Sequence, residues 1–217
     1  MNVLQHANRI AYSPAEQFLA NIDQDWATLI AAIGPYPLPT QSDREPYEAL
    51  IRAVAHQQLH GKAAENILGR FIACFPNTPF PSASEVNALS IDQLRACGFS
   101  NSKAVAILGI AEQTIEGIVP TRTHAETLSN QELIKRLTTL RGIGRWTVEM
   151  FLMHTLHQPD ILPVDDFGVR EGWRIIKSLE TQPKPKQFAE IGKDWSPFRS
   201  TASWYLWRAV DQAKLKK

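Results

Sequence analysis

The sequence predicts an all-α fold, and three observations carry that prediction. Helix N-caps recur along the chain, as in Ser13-Pro14-Ala15-Glu16, Ser90-Ile91-Asp92-Gln93 and Ser129-Asn130-Gln131-Glu132. Each is a serine followed by an acid or amide placed to return a hydrogen bond to it. The apolar residues that follow repeat at helical spacing, with no alternating strand pattern. Glycines and prolines fall between these stretches, where helices stop. The chain has 217 residues, 44% of them hydrophobic, enough to bury a core in one large domain or two small ones.

Taken in order, Ser13 opens a helix that places Phe18, Leu19, Ile22, Trp26, Leu29 and Ile30 at helical spacing and stops at Gly34. Pro35-Tyr36-Pro37-Leu38-Pro39 is an extended connector stiffened by its prolines. Ser42-Asp43-Arg44-Glu45 opens a second helix, with Tyr47, Leu50, Ile51 and Val54 apolar, and residues 62–75 make a third, ended by Pro76. Short helices are expected near 83–89 and 91–97, the second closed by Gly98, and a longer one over 102–116. The helix capped by Ser129 runs to about Thr138. Leu140-Arg141-Gly142-Ile143-Gly144-Arg145-Trp146-Thr147 then makes a tight turn into a helix from about Arg145 to His157. Asp165 or Asp166 starts a helix toward Leu179, and helices near 187–192 and 198–214 finish the chain.

Composition narrows the function. No apolar run approaches the ~20 residues of a membrane span, and Met1-Asn2-Val3-Leu4-Gln5-His6 lacks a signal-peptide pattern. An intracellular protein with no membrane partner is expected. Cys74 and Cys97 are the only cysteines, too few for a four-thiolate iron–sulfur cluster or a cysteine-rich zinc site; both read as buried, reduced thiols. His56 and His60 have helical i, i+4 spacing, but no nearby carboxylate completes a zinc site. The net charge of +1 means that any affinity for nucleic acid must come from local placement of charge. Lys214, Lys216 and Lys217 read as a solvated end. Trp26, Trp173, Trp195 and Trp204 are assigned to the core.

The chemistry is concentrated between residues 140 and 166. Gly142 and Gly144 permit a tight turn whose amides, with the positive end of the next helix, can face a phosphate. Pro163-Val164-Asp165-Asp166 then places carboxylates at the start of a further helix. A negative charge beside a polyanion opposes binding, so its presence suggests chemistry. From the residues alone, an N-cap is the favoured reading of Asp166 and a core leucine the favoured reading of Leu59.

Several blocks together resemble the helix–hairpin–helix (HhH-GPD) DNA glycosylases, in particular the 3-methyladenine DNA glycosylase II or alkylbase branch. They are Ile51-Arg52-Ala53-Val54-Ala55-His56-Gln57-Gln58-Leu59, Gly98-Phe99-Ser100-Asn101-Ser102-Lys103-Ala104, the hairpin, the Asp166 segment, and Trp195-Ser196-Pro197-Phe198-Arg199-Ser200-Thr201-Ala202 leading to Tyr205-Leu206-Trp207. The likeness extends from about Ser42 to Lys214. It implies two helical domains across a cleft, one spanning 45–145 and the other 1–40 with 159–217.

The resemblance also implies a monomeric, monofunctional glycosylase of base excision repair. Such an enzyme flips alkylated bases of the 3-methyladenine and 7-methylguanine type out of damaged double-stranded DNA. Asp166 takes the catalytic position, with Asp165 the weaker candidate. Trp146, Met150, Phe151 and Trp207 fall at the base pocket, and Tyr205 is a further candidate for its wall. Leu59 matches the wedge, with Gln58 and His60 toward the minor groove. Gly142, Gly144, Arg145 and Thr147 fall at the phosphate-binding hairpin, where the backbone carbonyls of Leu140 and Ile143 would take Na+ or K+. No cofactor is required. Trp146 stands where bifunctional members carry the lysine that attacks the sugar, and neither Lys62 nor Lys103 is in that register. Two alternatives stay open: a preference for deaminated purines, and a DNA-binding protein in which Asp166 is only a cap.

Overall fold

The computed structural model describes residues 12–37, 44–59 and 61–215, and every described element is helical. His60, Lys216, Lys217 and the cap residues Ser42 and Asp43 lie outside the described residues. The chain divides into two compact units, Met1–Thr40 with His157–Lys217, and Gln41–Leu156.

The first unit holds α1 (Pro14–Ala20), α2 (Gln24–Ile33), α11 (Phe167–Ile176), α12 (Pro185–Ile191), a 3-10 turn (Gly192–Trp195) and α13 (Arg199–Leu215). The expected single helix over this first stretch is in fact two. Asp23 accepts from the amides of Asp25 (3.0 Å) and Trp26 (3.1 Å), so a second N-cap interrupts the apolar rhythm. Trp26 and Trp195 are fully buried edge to face, with centroids 5.4 Å apart, and Trp173 packs on the same cluster. Trp204 is only half-buried, against Tyr36. The approach of α11 to α13 depends on Gly172, where a Cβ would lie 2.1 Å from the Leu206 carbonyl oxygen. Glu16, 1% exposed, is tolerated inside because Ser13 N, Tyr36 N and the Tyr205 hydroxyl all donate to it.

The second unit holds α3 (Pro46–His56), α4 (Gly61–Ala73), α5 (Ala83–Asn87), α6 (Ile91–Ala96), α7 (Asn101–Ile115), α8 (Arg122–Ala125), α9 (Asn130–Leu137) and α10 (Arg145–His154). The short α8, capped by Thr121, has no counterpart in the sequence reading. Helix α3 packs on α4, α7 and α10, and α10 also packs on α9. Leu50, Ile51, Val54, Leu68, Ile107, Leu133, Val148 and Leu152 are buried. One expectation fails here: Cys97 is buried but Cys74 is exposed, with the sulfurs 3.9 Å apart. Burial pushes the Cys97 thiol up to about 11.

Candidate functional site

In the second unit, α9 opens with a capping box: Ser129 Oγ accepts from Glu132 N, and Glu132 accepts from Ser129 N. The chain then folds back so that Ile143 N donates to the Leu140 carbonyl at 3.1 Å. Gly142 sits at φ +82°, and a Cβ there would meet the Ala106 Cβ at 3.1 Å. This position therefore requires glycine on two counts. Gly144 has an ordinary φ of −86° and begins α10 with no side-chain cap. The first amides of a helix lack intrahelical partners, and with the helix dipole they favour negative charge at that end.

The residues predicted for phosphate separate by burial. Gly142, Gly144 and Arg145 are exposed, whereas Thr147 is 4% exposed with its hydroxyl 3.5 Å from Gln57 Nε2. Arg145 also pairs with the buried Glu149 at 2.8 Å. The side chains of Leu140 and Ile143 are buried, and the Leu140 carbonyl is already engaged by Ile143 N. A cation held there would share the second lone pair of that oxygen.

Helix α3 ends in a turn that presents Leu59. Gln57 leaves the helical region at φ −54°, ψ 128°, Gln58 is left-handed at φ +56°, and Leu59 is 40% exposed. Leu59 is therefore not a core leucine. Two residues to which the sequence reading gave no role here hold this turn. Gln57 Nε2 donates to the Gly142 carbonyl at 3.0 Å, and Lys103 Nζ donates to the carbonyls of Ala55 and Gln57, each at 2.8 Å. The Lys103 ammonium is committed to these carbonyls, which argues against its serving as a nucleophile. Beside the turn, His56 Nε2 lies 3.0 Å from Glu65, which corrects the expectation that no carboxylate stands near this histidine. Among the described residues no group of His, Cys, Asp and Glu side chains could hold a metal ion.

A cavity of about 700 Å³ opens beside the same turn, with Trp146, Met150, Phe151, Gln58, His56 and Arg52 in its wall. Three of the four predicted pocket residues are thus brought together within this unit.

The fourth, Trp207, belongs to the first unit, where it meets Asp166. Asp166 is the N-cap of α11, and its Oδ1 accepts from Val169 N at 2.8 Å and from Trp207 Nε1 at 3.0 Å. Asp165 is exposed and Asp166 half-buried. Gly168 makes the Trp207 contact possible, since a Cβ there would lie 3.0 Å from the indole. The only sequence signal for this role was a glycine in the first turn of the helix. Phe167, next to the carboxylate, is 69% exposed and was likewise not picked out. Tyr205 is corrected: it is fully buried, its one hydroxyl proton shared between Glu16 at 2.6 Å and the Gly34 carbonyl at 2.8 Å, and burial raises its phenol well above the ordinary value. It is a core residue, not a pocket wall.

Residues 51–198 match the HhH-GPD superfamily base excision DNA repair protein family. The chain belongs to the HhH-GPD superfamily. Within it the chain falls in the alkylbase, or 3-methyladenine DNA glycosylase II, branch. It is 44% identical over 204 residues to DNA-3-methyladenine glycosylase 1 of Schizosaccharomyces pombe, covering 94% of this chain and 90% of that protein. It is 32% identical over 198 residues to the alkylbase DNA glycosidase-like protein mag2 of the same yeast, covering 91% of this chain and 93% of the relative. The solved structure of the S. pombe 3-methyladenine DNA glycosylase in complex with abasic DNA superposes with a TM-score of 0.82, over 90% of this chain and 96% of that one. Among the described residues no helix of this HhH-GPD protein is long and apolar enough to cross a membrane.

Proposed function

We propose that this HhH-GPD protein is a monofunctional DNA glycosylase that hydrolyses the N-glycosidic bond of alkylated bases, 3-methyladenine and 7-methylguanine among them, in damaged duplex DNA. The observation that carries the reading is the fixed carboxylate of Asp166, held by a backbone amide and an indole N–H at the start of α11, in a chain of this family.

The roles follow from the chemistry. The amides at the start of α10 hold a phosphate. Leu59 enters the stack as the nucleotide leaves it. A base alkylated at N3 or N7 is cationic, and the exposed face of Trp146 suits a cation. As the bond from C1′ to the base lengthens, the electron pair leaves with the base and positive charge builds on the sugar. The Asp166 carboxylate stabilises that charge. Water then adds its hydroxyl to C1′ and gives up a proton, and the products are the free base and an abasic site. Because the leaving base is already cationic, no strong general acid is needed. Trp146 has no amine with which to form a Schiff base, so the strand stays uncut.

The test is a duplex carrying one 7-methylguanine. The reading expects strand breakage only after alkali treatment of the product. Breakage without alkali would overturn monofunctionality, and no breakage with alkali would overturn the glycosylase reading.

A further inference from the structure

We infer that Lys103 is the positioning residue of the Leu59 turn: its ammonium ties down two carbonyls at the end of α3 and so fixes where Leu59 stands. The inference rests on the reading of Leu59 as the side chain that enters the duplex.

The last carbonyls of a helix have no intrahelical partner and attract cations. At the end of α3, the carbonyls of Ala55 and Gln57 both receive Lys103 Nζ at 2.8 Å. The chain then turns through the left-handed Gln58 to Leu59. A side-chain-bearing residue at positive φ is strained and persists only where its surroundings hold it. Two contacts hold it here. Lys103 grips the carbonyl of Gln57, and the amide of the same Gln57 grips the Gly142 carbonyl in the hairpin.

Lys103 is the third residue of α7, just past the Ser100 cap. Gln57 therefore joins three turns: the Leu59 turn, the hairpin, and the turn that opens α7. The Lys103 side chain is partly buried, and loss of hydration lowers its pKa. A lysine serving a phosphate would keep its ammonium in water, whereas this one spends it on carbonyls of its own chain.

Lys103→Met keeps the aliphatic stem and removes the donors. In the free protein, hydrogen exchange in the segment spanning Gln57–Leu59 is expected to quicken by about tenfold or more, while the melting temperature and exchange in the rest of α3 and α7 stay near wild type. On a duplex with one 7-methylguanine, single-turnover excision is expected to fall by about tenfold, the scale of a misplaced positioning group. Adding Leu59→Ala to Lys103→Met should then cost far less than it does in the wild type, because both changes act through one side chain.

Unchanged exchange at Gln57–Leu59 would overturn the proposal, as would fully additive losses. A slope of log affinity against log salt that is shallower by about one would also overturn it, by making Lys103 a phosphate contact. If Lys103→Met melts low, Lys103→Gln, too short to span both carbonyls, replaces it with the same expected results. The exchange measurement needs no DNA and no catalysis, so a wild-type protein that released no base would refute the glycosylase reading without deciding this one.

Discussion

Asp166→Asn separates the two roles that one side chain carries. Asparagine is among the favoured N-caps, and its carbonyl oxygen can accept from Val169 N and Trp207 Nε1 where Asp166 Oδ1 does, at 2.8 and 3.0 Å. Helix α11 therefore keeps its start and the indole keeps its partner, and what is lost is the negative charge. A unit charge about 4 Å from developing positive charge, at an effective dielectric constant of about 20, contributes roughly 4 kcal/mol. At 1.36 kcal/mol per tenfold, that is a loss of about a thousandfold in rate. Asp166→Ala removes the charge, the cap and the indole's acceptor together. The cap is worth about 1 kcal/mol and the second hydrogen bond about another. A loss of ~2 kcal/mol lowers the melting temperature of a chain this size by about 4–8 °C. The assays are single-turnover excision of 7-methylguanine and thermal melting. The expected result is an Asn variant that melts like wild type and excises about a thousandfold more slowly, beside an Ala variant that is both inactive and less stable. Excision by Asp166→Asn within about threefold of wild type, under 1 kcal/mol, would refute the electrostatic role. Equal loss of stability in the two variants would show that capping accounts for the effect.

The two hairpin glycines should respond in opposite ways. Gly142→Ala adds a Cβ at φ +82° and 3.1 Å from the Ala106 Cβ, so melting should show a loss of about 1–2 kcal/mol. Gly144→Ser meets no atom within 4 Å and supplies a favoured cap, so stability should hold. Duplex affinity should fall by about tenfold as the new side chain displaces a phosphate from the α10 amides, the equivalent of one charge-assisted hydrogen bond; unchanged binding would place the phosphate elsewhere. Asp160 is raised by burial but lowered further by its hydrogen bonds to Arg199 and Ser196, for a net downward shift. Its stabilisation is therefore complete above the unfolded carboxylate value and lost as pH falls through the folded one. Asp160→Ala should melt lower than wild type at neutral pH, and the gap should close in acid. Borohydride added during turnover should trap no protein on DNA; a covalent adduct would reveal an amine nucleophile.

What was legible in the sequence was local. Capping boxes at Ser13, Ser90 and Ser129 are confined within one helical turn, and each is formed in the structure. Gly142 and the Asp166 cap are likewise decided by their neighbours in the chain. The break at Asp23 is hidden in the sequence because Trp26, Leu29 and Ile30 continue the apolar rhythm across it, although the Asp23 carboxylate caps the amides of Asp25 and Trp26. Contacts between distant segments were not legible. Tyr205 and Trp207 lie on one helix, and which of them faces inward depends on Glu16, 189 residues away in sequence. Lys103 looks like a surface lysine until α3 is laid beside α7. Cys74 has a helical apolar setting like that of Cys97, and only packing leaves one thiol exposed.

The claim that the protein is a base-releasing enzyme is tested most directly by incubating it with methylated duplex DNA and separating the freed bases by chromatography. 3-Methyladenine and 7-methylguanine should appear in the supernatant, growing with time and with protein, and Asp166→Asn should release them about a thousandfold more slowly. Binding to the methylated duplex without any freed base would contradict it.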